Sequence, residues 1–96
     1  MKYGLSNEIY NKIKEIIEKY NKYEFKIFGS RARGDYKQNS DIDIVVIGSL
    51  ENKEQFNIKN EFDLLDIPYT IDLLFMQDIE KEELIESIKR EAKRYE

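Results

Sequence analysis

Asp41-Ile42-Asp43-Ile44-Val45-Val46-Ile47 is the stretch on which the reading of this chain turns. In an extended segment Ile42, Ile44 and Val46 fall on one side and Asp41, Asp43, Val45 and Ile47 on the other. Apolar residues on both sides predict a strand inside a sheet rather than at its edge. Against that background the two aspartates need a reason. Residues two apart on a strand project the same way, so both carboxylates leave the sheet together. Like charges that close repel one another unless a cation lies between them. The chain has neither histidine nor cysteine, so any such cation must sit on oxygen ligands, which suits Mg²⁺. A plainer account also fits a lone pair at this spacing: Asp41 follows a loop and Asp43 is a solvated strand residue.

Downstream, Tyr69 to Phe75 predicts another strand, with Ile71, Leu73 and Phe75 on one face and Asp72 on the other. An unpaired aspartate inside a buried strand is costly. If this strand lies beside Asp41–Ile47, Asp72 joins the other two carboxylates, and three carboxylates from two strands suit a two-metal site. The alternative is an edge strand with Asp72 facing water. Upstream, Tyr23, Phe25 and Ile27 alternate with Glu24, Lys26 and Phe28, a period of two that predicts a strand ended by Gly29-Ser30. A glycine there lets the backbone approach a phosphate, and the following turn aims N–H groups at it. Ten residues separate Ser30 from Asp41, a connection short enough for the two strands to run antiparallel and set that cradle beside the carboxylates. Ser30 to Tyr36 is expected to be a short helix or turn, and Lys37 to Ser40 a polar loop. Arg31 and Arg33 lie in the turn. Arginine's fork of donors suits polyphosphate, and one of the two is expected to reach it, the alternative being solvation or a salt bridge to Asp35.

The remaining segments read as helices. Ser6 is a candidate N-cap with Glu8 in the first turn, and Ile9, Ile13, Ile16, Ile17 and Tyr20 recur at helical spacing, which predicts a helix over 7–21. Asn52 with Gln55 resembles a capping pair, followed by the stripe Ile58, Phe62 and Leu65 and then Pro68. Asp78 can cap a last helix with the stripe Leu84, Ile85, Ile88, Ala92 and Tyr95, acidic at its start and basic at its end. The order αβαβαβα predicts an α/β (α+β) fold built on a small mixed three-stranded sheet.

The 96 residues suffice for one small domain, 1–96, and 41% hydrophobic residues suit a packed core. So small a core is expected to lean on a partner, as a homo- or hetero-oligomer. The net charge of −4 argues against direct nucleic-acid binding. No stretch approaches a membrane span, and Met1-Lys2-Tyr3-Gly4 lacks the apolar run of a leader peptide, so the cytoplasm is the expected location.

Phe28-Gly29-Ser30-Arg31-Ala32-Arg33-Gly34, then Ser40-Asp41-Ile42-Asp43-Ile44-Val45-Val46, with Asp72 on a later strand, resembles the signature of the polymerase-beta-type nucleotidyltransferase superfamily. The likeness covers nearly the whole chain and is nearest to the stand-alone minimal nucleotidyltransferases, called MNT or MntA-like. It implies that Ser30, with the backbone near Gly29, binds the triphosphate of ATP. It implies that Asp41 and Asp43 hold Mg²⁺, in two ions, and that Asp72 is a third metal-binding carboxylate able to take the proton of the attacking hydroxyl. It further implies a partner, since minimal members are commonly encoded beside a HEPN-domain protein and resemble antitoxins that neutralise a HEPN ribonuclease by adding AMP to one of its tyrosines. Two other functions stay open: a non-catalytic module that masks its partner, and a transferase acting on a small molecule.

Overall fold

The computed structural model describes residues 2–96; Met1, where the stretch read against a leader peptide begins, lies outside them. Ser6 caps helix α1 (Asn7–Lys19), accepting the Ile9 N–H at 3.3 Å. The strand β1 (Glu24–Phe28) runs directly into a single helical turn, α2 (Gly29–Arg33), closed by Gly34 in the left-handed region. Strand β2 (Ile42–Ile47), helix α3 (Asn52–Asp63) and strand β3 (Ile71–Phe75) follow. A 3₁₀ turn (Met76–Asp78) leads to helix α4 (Glu82–Glu91) and a two-residue strand, β4 (Lys93–Arg94).

The sheet order is β3-β2-β1-β4. β1 is antiparallel to both β2 and β4, and β2 is parallel to β3, so the sheet is mixed as expected but has a fourth strand. That strand replaces the end of the predicted last helix. Ala92 and Tyr95 fit the helical stripe by spacing, yet the helix stops at Glu91 and Ala92 is already extended. Tyr95 is buried instead through β4: its N–H donates to the Phe25 carbonyl at 3.3 Å, its hydroxyl to the Tyr10 carbonyl at 2.9 Å, and its ring stacks on Tyr10 with centroids 4.9 Å apart. Tertiary burial of one large aromatic outweighs the helix propensity of Ala92, Lys93 and Arg94, which amounts to only a few tenths of a kcal/mol per residue. Two caps also differ from expectation. Glu51, not Asn52, is the N-cap of α3, and its N–H donates to Glu54 Oε1 at 3.4 Å. Lys81 precedes α4, while Asp78 belongs to the 3₁₀ turn.

The two faces of the sheet do different work. Phe25, Ile27, Ile42, Ile44 and Val46 point to one face and form the core with Ile13 and Ile16 of α1 and Ile58 and Phe62 of α3. Ile71, Leu73 and Phe75 pack on the same core from the edge. The other face carries Phe28, Asp43, Val45 and Asp72. Val45 and Ile88 of α4 are fully buried but stand outside the main core, which puts α4 on this second side, where it also packs against α2. No helix among the described residues is long and apolar enough to cross a membrane.

Candidate active site

Strand register brings the sequence-predicted carboxylates together. Asp43 of β2 is level with Asp72 of β3, and parallel neighbours at the same level point to the same face about 4.8 Å apart. Asp41 lies two residues earlier, where the loop enters β2, and the Ile42 N–H anchors that entry by donating to the Thr70 carbonyl at 2.9 Å. Asp41 and Asp72 are exposed and Asp43 is half-buried. Burial first, then the charges of Asp72 and Asp41, push the Asp43 carboxyl up to about 6, against the opposing pull of Arg33 and Arg31.

On the other side of β2, Phe28 is the ladder partner of Asp43, so Gly29 and Ser30 begin α2 beside that carboxylate. Gly29 has φ +72°, and a Cβ there would overlap the Asp43 carboxylate. Both facts demand glycine at this position. The first N–H groups of any helix lack partners within it, so those at the start of α2, with the Ser30 hydroxyl, are available to an anion set against the carboxylates.

The arginines part ways. Arg33 is exposed, with Nη1 on Glu91 Oε2 at 3.0 Å and Nε on Asp35 Oδ2 at 3.2 Å. The Asp35 pair was foreseeable from spacing; Glu91, 58 residues away, was not. Arg31 is 2% exposed. Its Nε and Nη2 donate to the Ser40 carbonyl at 3.1 and 2.8 Å, and its Nη1 to the Tyr3 carbonyl at 2.9 Å. Its guanidinium lies over two rings, 5.3 Å from the centroid of Tyr36 and 4.6 Å from that of Tyr69. Of the two arginines, only Arg33 presents its donors to the open face.

Among the described residues, no three acidic side chains close on one point as a ready-made metal cage. The donor set still fits a hard divalent cation, because Mg²⁺ usually takes one or two carboxylates and completes its shell with water and phosphate. A carboxyl raised to about 6 by burial and then by two like-charged neighbours is a group whose ionised form a cation would favour. Asp41 and Asp72 are exposed, and Asp43 is half-exposed. The carboxylates therefore occupy an open face.

Residues 10–95 match the nucleotidyltransferase domain family. The chain belongs to that family. The nucleotidyltransferase resembles, with a TM-score of 0.66 and 25% identity, a toxin–antitoxin solved with AMP-PNP, over 91% of this chain and 72% of that one. It resembles a mutant of the toxin–antitoxin MntA-HpeT with a TM-score of 0.64 and 26% identity, over 94% of this chain and 72% of that one. A second mutant of that complex, at 23% identity and a TM-score of 0.65, shares the fold. No curated protein matches the chain. The MntA-like resemblance seen in the sequence thus extends to the folded nucleotidyltransferase, whose sheet carries Asp43 and Asp72 side by side.

Proposed function

We propose that this nucleotidyltransferase, acting as a minimal domain over 1–96 in the cytoplasm, transfers AMP from ATP to a tyrosine hydroxyl of a HEPN-type ribonuclease toxin and so neutralises it. The observation that carries the reading is the juxtaposition of the Asp43–Asp72 pair with Gly29, which sets an anion cradle against a negatively charged pair. Neither half is useful alone: bare carboxylates would repel the triphosphate that the cradle invites.

In this mechanism the N–H groups near Gly29 and the Ser30 hydroxyl hold the triphosphate, and Arg33 leaves its carboxylates to neutralise part of its charge. Asp41, Asp43 and Asp72 would hold Mg²⁺, in two ions, which supplies charge neutralisation at the reacting phosphate. The acceptor oxygen attacks the α-phosphorus in line, a new P–O bond forms, the bond to the β-phosphate breaks, and pyrophosphate leaves. Asp72, exposed near the sheet edge, takes the hydroxyl proton. Most of the acceleration then comes from positioning. The open face suits an acceptor carried on another folded chain, and toxin–antitoxin complexes among the structural neighbours point to the same kind of partner.

The test combines chemistry and growth. The wild-type chain, labelled ATP and Mg²⁺ should put label on the co-expressed toxin, with AMP found on tyrosine by mass spectrometry. The double variant D41N/D43N should still bind the toxin yet fail to protect cells. Full protection by that variant, with no AMP on the toxin, would establish masking as the function instead.

A further inference from the structure

Arg31 lies two residues after Gly29, on the turn that forms the cradle, and its side chain is buried. Its contacts with Ser40 and Tyr69 land on the two segments that carry the carboxylates. The Ser40 carbonyl, which takes two of its N–H donors, belongs to the residue before Asp41. Tyr69, the ring nearest its guanidinium, lies three residues before Asp72, and the next residue, Thr70, accepts the Ile42 N–H. The Tyr36 ring also lies against the guanidinium and itself fills the space beside Gly4, while the Tyr3 carbonyl accepts from Nη1. One buried cation thus joins the cradle turn to the loops that feed β2 and β3.

We propose that Arg31 is a positioning residue: it fixes the distance between the phosphate cradle and the carboxylates, and it does not itself touch the nucleotide. The inference rests on the transferase reading for its kinetic consequence, but its geometric consequence stands apart from turnover. Loosening the link leaves the cradle able to bind ATP while the α-phosphorus drifts relative to the carboxylates. Turnover then suffers more than substrate binding.

R31K is the informative variant because it keeps the charge and loses the planar fork and the stacking. In the folded variant kcat should fall by roughly tenfold or more while KM for ATP stays within about twofold, since a small misplacement costs rate rather than ground-state affinity. Mn²⁺ binding to the nucleotide-free protein, followed by electron paramagnetic resonance, should weaken several-fold. A purely structural arginine would lower the melting temperature and leave both quantities unchanged in the folded protein, and that result overturns the proposal. A raised KM with unchanged kcat also overturns it, because it would make Arg31 a phosphate ligand. If R31K does not fold, Y69L removes one stacking surface without touching the link to Ser40. It should shift kcat and Mn²⁺ affinity the same way by a smaller factor, and wild-type values overturn the proposal. If the wild-type chain transfers no nucleotide at all, the transferase reading fails, and the Mn²⁺ comparison alone decides the role of Arg31.

Discussion

Gly29 shows how tightly one residue ties backbone to chemistry. Its φ of +72° and the Asp43 carboxylate in the place of a Cβ are independent obstacles to any side chain. G29A should therefore cost about 1–3 kcal/mol in urea unfolding, the range for a residue forced into a sparsely populated conformation, and should abolish most transfer even where the protein is folded. Asp43 makes an opposite prediction. Its folded carboxyl titrates at about 6, above the ordinary value of about 4 that it regains on unfolding. Below pH 4 both states hold the proton and nothing is lost. Between 4 and 6 the unfolded chain releases it while the folded chain retains it, so ionisation works against the fold, fully so above 6. D43N removes this penalty. In metal-free buffer it should be more stable than wild type at pH 7 by on the order of 1 kcal/mol, after allowance for solvent screening of a half-exposed group, and equal to it near pH 4. Thermal unfolding across that range measures both ends. Asp43 and Asp72 were legible in the sequence because a charge inside an apolar alternation is conspicuous. The part played by Arg31 was not, since its partners are main-chain carbonyls, which every residue possesses, and one of them is 28 positions away.

At the scale of elements, periodicity located α1, β1, β2, α3 and β3 to within about two residues, because each buries a stripe or a face on the common core. It failed at the end of α4, where Ala92 and Tyr95 satisfy a helical spacing but flank Lys93 and Arg94, which leave the helix to pair with β1. The same end of α4 holds Glu91, which ties down Arg33. If Arg33 serves the triphosphate, Glu91 competes with it for the guanidinium. E91Q should lower KM for ATP about two- to fivefold at low ionic strength, and the gain should shrink as salt screens the competing pair. Steady-state kinetics at several salt concentrations follow this directly. An unchanged KM at low salt would mean that Arg33 stays on α4 during the reaction.

The whole molecule is a sheet with a packed side and a working side. α1 and α3 seal the first, α4 covers part of the second, and the carboxylates stand beside what α4 leaves open. The chain ends close the far edge, with the Tyr3, Tyr10 and Tyr95 rings stacked together beside β4. β2 runs through the middle and belongs to both sides at once, which turns the strand into a ruler for mutational tolerance. In a library of every single substitution, scored once for cellular abundance and once for protection from the toxin, the two scores should separate letter by letter along it. Polar replacements at Ile42, Ile44 and Val46 should deplete the protein itself. Replacements at Asp43 should leave abundance intact and erase protection, and Val45, buried on the working side, should register in both. Selection acting on this strand is therefore expected to leave a record with a beat of two, one letter kept for the fold and the next for the reaction.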